Sequence, residues 1–72
     1  MDQSFLDRVI VAAREEEAEV GYAWSAVSLY LRLYPGTGYH TVESGVSAAV
    51  RVLRSRGIFS RLSRGKYRIS QG

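Results

Sequence analysis

Residues 54–70, RSRGIFSRLSRGKYRIS, carry six cations and no acid, with Ile58, Phe59, Leu62, Tyr67 and Ile69 threaded between them. A segment that mixes like charges with apolar side chains must fold in a way that separates the two. An antiparallel hairpin does this, because successive strand residues face opposite ways. Arg64-Gly65 is the best two-residue turn in the segment, since glycine accepts the positive φ that such turns need. That turn predicts pairing of Leu62 with Tyr67, Arg61 with Arg68 and Ser60 with Ile69. Ile58, Leu62, Tyr67 and Ile69 then share one face. Phe59, Arg61, Lys66 and Arg68 share the other, with Arg64 at the tip. Directly opposed arginines cost a sheet roughly 0.2–1 kcal/mol. An anion with closely spaced charges, lying across that face, would offset the cost.

A chain of 72 residues reads as one domain, 1–72. At that size only about 60% of the unfolded surface is buried, so each element has to supply part of the core. The absence of cysteine excludes disulfides and thiolate metal sites and suits a reducing cytoplasm. No apolar run nears the roughly 20 residues of a membrane span. The acidic, polar start MDQSFLDR is unlike a signal peptide. The net charge of +3 conceals an asymmetry. Residues 1–40 hold six acids and three bases, whereas residues 41–72 hold seven bases and a single acid, Glu43. A polyanionic partner on one side of the domain is expected.

Ser4 is placed to cap a first helix beginning at Phe5, with Leu6, Ile10 and Ala13 on one stripe and Val9 beside them. Glu17 falls on the same stripe. The buried part of the helix is therefore expected to end near Ala13 or Arg14, leaving the acids at 15–17 as a solvated face. Gly21 breaks the helix, and the alternation of Val20, Tyr22 and Trp24 predicts one short strand. Ser25 caps a second helix, AVSLYLRLY, stopped by Pro35-Gly36. It is apolar almost all round and is expected to be central.

Residues 35–41 read as a loop; its GTG lacks the Gly-Lys-Ser/Thr ending of a P-loop. Thr41 is the predicted cap of a third helix, about 41–56, ended by Gly57. Val42, Val46, Ala49, Val50 and Leu53 form its apolar face. Ser44, Ser47, Ala48, Arg51, Arg54 and Ser55 form the opposite one. Gly45, read as mid-helix, costs about 1 kcal/mol relative to alanine and is expected to allow close packing on the second helix.

The order helix, strand, helix, loop, helix, hairpin resembles the winged helix-turn-helix family of DNA-binding domains. The resemblance is carried by VSAAVRVLRSRGIFSRLSRGKYRIS, residues 46–70. It consists of a helix ending in Leu-x-x-x-Gly, an aliphatic residue after the glycine, a basic strand, a glycine-containing tip and a returning Tyr-x-Ile. It implies a small α+β domain of three helices with a short strand and a C-terminal hairpin wing (α-β-α-α-β-β). It also implies a third helix in the major groove and a wing on the backbone or minor groove. Ser44, Ser47, Ala48 and Arg51 would then face base edges, with Arg51 suited to a guanine and Ala48 to a thymine methyl. Arg54, Arg61, Arg64, Lys66 and Arg68 would meet phosphates, and Arg64 could enter a narrow minor groove. The loop before the third helix is longer than in the simplest members, and Glu43 is an acid near the expected DNA.

Other candidates carry less chemistry. Tyr39, His40 and Thr41 border the expected interface. Tyr39 reads as a phosphate donor or a ring half-buried under the loop, His40 as loop filler or a phosphate contact. The lone histidine has no cysteine or carboxylate cluster for a metal. No serine or acid has a partner for catalysis, so neither an enzyme nor a cofactor is expected. The expected function is that of a sequence-specific double-stranded DNA-binding protein. A small cytoplasmic transcriptional regulator or repressor fits, nucleoid-associated in a prokaryote and of a size common in phages and plasmids. A protein-interaction winged helix and a shape-specific binder of duplex RNA or unusual DNA stay open. So does a homodimer, given Val11 and the surplus apolar residues of the second helix.

Overall fold

The computed structural model describes residues 1–38 and 40–70. The first helix, α1 (Gln3–Glu19), starts two residues earlier than expected. Asp2 caps it, its carboxylate accepting from the Ser4 amide at 3.1 Å. The Ser4 side chain is thus not the cap, because an acid two residues upstream meets the same free amides. Leu6, Val9, Ala12 and Ala13 are buried, and Ile10 packs at the core's edge.

Of the acids at 15–17, Glu15 is exposed as expected, but Glu16 and Glu17 are half-buried. Glu17 stays on the buried stripe, where its Oε2 accepts from Trp24 Nε1 at 2.7 Å and from the Ile69 amide at 2.6 Å. Glu16 and Glu19 pair with Arg32 at 3.0 and 2.7 Å. A carboxylate on an apolar stripe reads in sequence as the end of burial. Here it is retained because two donors from distant elements satisfy it.

The predicted strand around Trp24 is reduced to one bridge. Trp24 and Tyr67 exchange both backbone hydrogen bonds, at 3.0 and 2.8 Å. Val20 and Tyr22 are exposed. Ser25 caps α2 (Ala26–Leu33) as expected, reciprocally with Ser28. Leu29 and Tyr30 are the buried face of α2, and its other side leaves Val27 and Leu31 exposed. The Tyr30 hydroxyl meets Thr37 Oγ1 at 2.8 Å.

The expected third helix is two helices. α3 (Thr41–Ser44) and α4 (Val46–Ser55) meet at Gly45, whose φ is +85°. Gly45 is therefore a joint rather than a mid-helix residue. A Cβ there would lie 3.7 Å from the Phe5 ring of α1, so the neighbour is α1 and not the second helix. Thr41 is the first residue of α3 and not its cap; that position belongs to His40, which makes no side-chain cap bond. The bend keeps Val46, Ala49, Val50 and Leu53 buried but turns Val42 out of the core, leaving it 81% exposed. Alanine at Gly45 would hold a left-handed backbone at a cost of roughly 1–2 kcal/mol. Urea unfolding of Gly45→Ala should show that loss with an unchanged m-value.

The chain ends in an antiparallel pair, β1 (Phe59–Ser63) and β2 (Lys66–Ile69). Arg64-Gly65 is its turn, as expected, flanked by Ser63 and Lys66. The register beyond the turn is different. A bulge between Arg61 and Ser63 takes up Leu62, so Arg61 pairs with Tyr67, Ser60 with Arg68 and Phe59 with Ile69. One extra residue on one strand reverses which side chains face inward. Phe59, expected outward, is buried, with its ring 4.7 Å from that of Trp24 and edge-on to it. Leu62, expected inward, is 51% exposed. Burying the larger aromatic against Trp24 gains both area and an aromatic pair worth about 0.5–1.5 kcal/mol. The arginine–arginine opposition expected across the strands is absent.

α1 packs on α2, α4 and β2, and α4 packs on α2 and β1. Trp24, Leu29, Val50, Leu53 and Phe59 lie in the one core these elements enclose. The architecture is a small α+β domain of helices with a C-terminal two-stranded hairpin. Among the described residues no helix is long and apolar enough to cross a membrane.

Candidate nucleic-acid interface

Two basic elements far apart in local structure border one groove. The core face of α4 is set by Val46, Ala49, Val50 and Leu53. Helical periodicity therefore turns Ser47, Arg51 and Arg54 away from the core. Ser47 and Arg51 of α4 line a groove of about 380 Å³ together with Gly65 and Tyr67 of the hairpin. Ala26 and Val27, at the start of α2, contribute to its lining, as does Val42. A second hollow lies over Arg51, Arg54 and Ser55.

α4 and the hairpin carry cations and no acid. Arg51, Arg54, Arg61, Arg64 and Lys66 are all exposed, and among the described residues none of them is in a salt bridge. Three acids of the N-terminal half, Glu16, Glu17 and Glu19, are engaged elsewhere. Arg32 holds Glu16 and Glu19, and its guanidinium is pushed above its ordinary value by hydrogen bonds to Glu19 and then Glu16. Arg61 donates from Nε to the Ser63 carbonyl at 3.2 Å, which holds the base of its side chain at the bulge. Among the described residues, no three His, Cys, Asp or Glu side chains come together as a metal site.

The expected site residues divide into those the fold brings together and those it does not. Ser47, Ala48 and Arg51 share α4, with Ser47 and Ala48 half-buried and Arg51 exposed. Ser44 does not share that helix. It ends α3 across the Gly45 joint, its hydroxyl donating to the Thr41 carbonyl at 3.1 Å and accepting from the Val46 amide at 3.4 Å. Thr41 is half-buried on α3. His40 is exposed and meets Glu43 through Nδ1 at 3.2 Å, so the acid flagged in the sequence faces its own helix start. Tyr39 lies outside the described residues.

Arg68 is set apart from the other hairpin cations. It is half-buried, and its guanidinium stacks 3.9 Å from the centroid of the Tyr22 ring. Such a contact is worth about 0.5–2 kcal/mol and holds the Arg68 guanidinium against Tyr22. Arg56 donates to Gln3 Oε1 at 3.4 Å. Leu62, expected to face inward, is outside the core. The warning in the sequence was the choice between two apolar residues, Phe59 and Leu62, of which one register buries only one.

No protein-family model, curated protein or solved structure matches this chain.

Proposed function

We propose that this chain is a winged-helix-like domain that binds double-stranded DNA. In this reading α4 enters the major groove, and the β1–β2 hairpin acts as a wing on the adjoining backbone or minor groove. The single observation that carries it is the shared groove. Arg51 of α4 and Gly65 and Tyr67 of the hairpin line it together, and the exposed cations of both elements are in no salt bridge among the described residues. Such a surface suits a ligand with regularly spaced negative charge, and duplex DNA presents one charge per about 1.7 Å of axis. A helix of ten residues is roughly 15 Å long, enough to cross a major groove about 12 Å wide.

The residues assigned to base edges are Ser47, Ala48 and Arg51, with Arg51 suited to the paired acceptors of a guanine. Arg54, Arg61, Arg64 and Lys66 are assigned to phosphates. Ser44 and Thr41 sit on α3, at the margin of that surface. A surface of this kind acts by occupying a site on the duplex, which fits a transcriptional regulator.

Random duplex DNA and duplex RNA, titrated at two salt concentrations, test the reading. Binding to DNA should weaken steeply as salt rises. No binding in dilute buffer, with the amide shifts of α4 and the hairpin unmoved, would sink it. Binding to RNA alone would replace it. Selection from random oligonucleotides supplies the second measurement. Arg51→Ala should relax preference at one base position by about 1–3 kcal/mol while leaving the remaining positions intact.

A further inference from the structure

The outer face of α1 has no role in the surface described above. Leu6, Val9 and Ala13 turn to the core. The opposite side of the helix carries Asp7, Arg8, Val11, Arg14 and Glu15, all exposed. At 3.6 residues per turn, Val11 is the middle of that side. Arg8 and Glu15 flank it on one edge, and Asp7 and Arg14 flank it on the other. Val11 is 48% exposed and borders a shallow groove of about 320 Å³ that Ala12 and Leu33 also line. Among the described residues, none of these four charged side chains is in a salt bridge. Asp7 accepts only from its neighbour Gln3, at 2.9 Å. The Arg8 guanidinium lies 5.9 Å from the Tyr34 ring.

We infer that this face of α1 binds a second copy of the chain, the two α1 helices antiparallel across a twofold axis at Val11. The charges are arranged to complement themselves under that operation. Arg8 stands three residues before Val11 and Glu15 four after it. The axis therefore brings the partner's Glu15 to the level of Arg8, within one helical rise of about 1.5 Å. Asp7 and the partner's Arg14 match in the same way on the other edge. Both edges pair unlike charges, and symmetry repeats each pair. Val11 meets its own copy at the centre, and the antiparallel arrangement opposes the two helix dipoles favourably. An isologous contact needs such a self-complementary patch. α1 meets α4 through its inner face, so the basic surface remains uncovered. The inference does not rest on the nucleic-acid reading.

Sedimentation equilibrium of the full chain, without DNA, tests it. The parent should associate to a dimer with rising concentration, less so at high salt. Arg8→Glu alone sets like charges against the partner's Glu15 on both sides of the axis, and Glu15→Arg does the same against Arg8. Each variant alone should dimerise about tenfold or more weakly than the parent. An equimolar mixture of the two variants restores unlike pairs at every contact and should regain parent-level association. Circular dichroism confirms that both exposed substitutions leave the fold intact. A parent that stays monomeric across the concentration range would overturn the inference. So would a mixture no more associated than its components, since rescue requires Arg8 to face the partner's Glu15.

Discussion

Glu17→Ala is expected to cost the domain about 3–4 kcal/mol, because two donors lose their acceptor at once. Trp24 is 1% exposed, so its indole N–H has no water to turn to when Glu17 Oε2, 2.7 Å away, is removed. The Ile69 amide on β2 loses the same oxygen, at 2.6 Å. Leaving a buried donor unpaired costs about 1–3 kcal/mol, and the bonds here are to a charged acceptor. A chain of 72 residues has a total stability of roughly 4–11 kcal/mol at 0.05–0.15 kcal/mol per residue. The substitution therefore removes a large share of it. Glu17→Gln keeps an acceptor oxygen but loses the charge, and it should cost only about 1–2 kcal/mol. Urea unfolding followed by Trp24 fluorescence measures both. A Glu17→Ala midpoint close to that of the parent would show that the two bonds do not hold α1, Trp24 and β2 together.

The second large effect concerns the wing. If Arg61, Arg64 and Lys66 each neutralise one phosphate, replacing all three by alanine should flatten the slope of log K against log salt by about 2.7. At 0.1 M salt that corresponds to a loss of duplex affinity on the order of 10²- to 10³-fold, equal for all sequences. Arg68 is the internal contrast. It stacks on Tyr22 and is half-buried, so Arg68→Ala should leave the salt slope nearly unchanged and lower stability instead. Fluorescence anisotropy on a labelled random duplex, at four or five salt concentrations, reads both outcomes. A triple variant with the parent's slope would remove the hairpin from the interface. An Arg68→Ala slope reduced by a full contact would return that residue to it.

Much of the fold was legible in short stretches of sequence. Ser25 capped α2 where expected, because a cap needs only a side chain and amides two or three residues away. Val46, Ala49, Val50 and Leu53 were recognisable as one buried face, because helical spacing alone brings them together. Arg64-Gly65 was recognisable as a turn for an equally local reason, the positive φ of Gly65. The division between an acidic first half and a basic second half needed only counting. Glu16 and Glu19 were another matter. Their partner, Arg32, is 16 and 13 residues away, and only the packing of α2 on α1 delivers it.

The candidate surface was legible in composition but not in detail. Arg51, Arg54, Arg61, Arg64 and Lys66 stand outward as the charge pattern implied. Ser44 was lost from the α4 face because Gly45 ends one helix and begins another. A glycine within an apolar repeat of period 3.6 gives the same pattern whether the helix runs through it or bends there. The stacking of Arg68 on Tyr22, 46 positions earlier, was not legible because only the fold brings that ring to it.

By itself, then, the sequence determined the approximate place of α1, α2, α4 and the hairpin, which helical stripes are apolar, and which half of the chain is basic. Those properties depend on neighbours within a turn of helix or a two-residue loop, and their physics is complete at that range. The tertiary structure alone decided the strand register, the bend at Gly45 and the fate of Glu17. Phe59 and Leu62 satisfy alternation equally well, and it is the space beside Trp24 that admits the larger ring and expels Leu62 into a bulge. Glu17 is an acid on an apolar stripe until Trp24 and Ile69 arrive from 7 and 52 residues away to satisfy it. Choices between locally equivalent arrangements are settled by buried area and by the pairing of buried polar groups, and both exist only once distant segments have met.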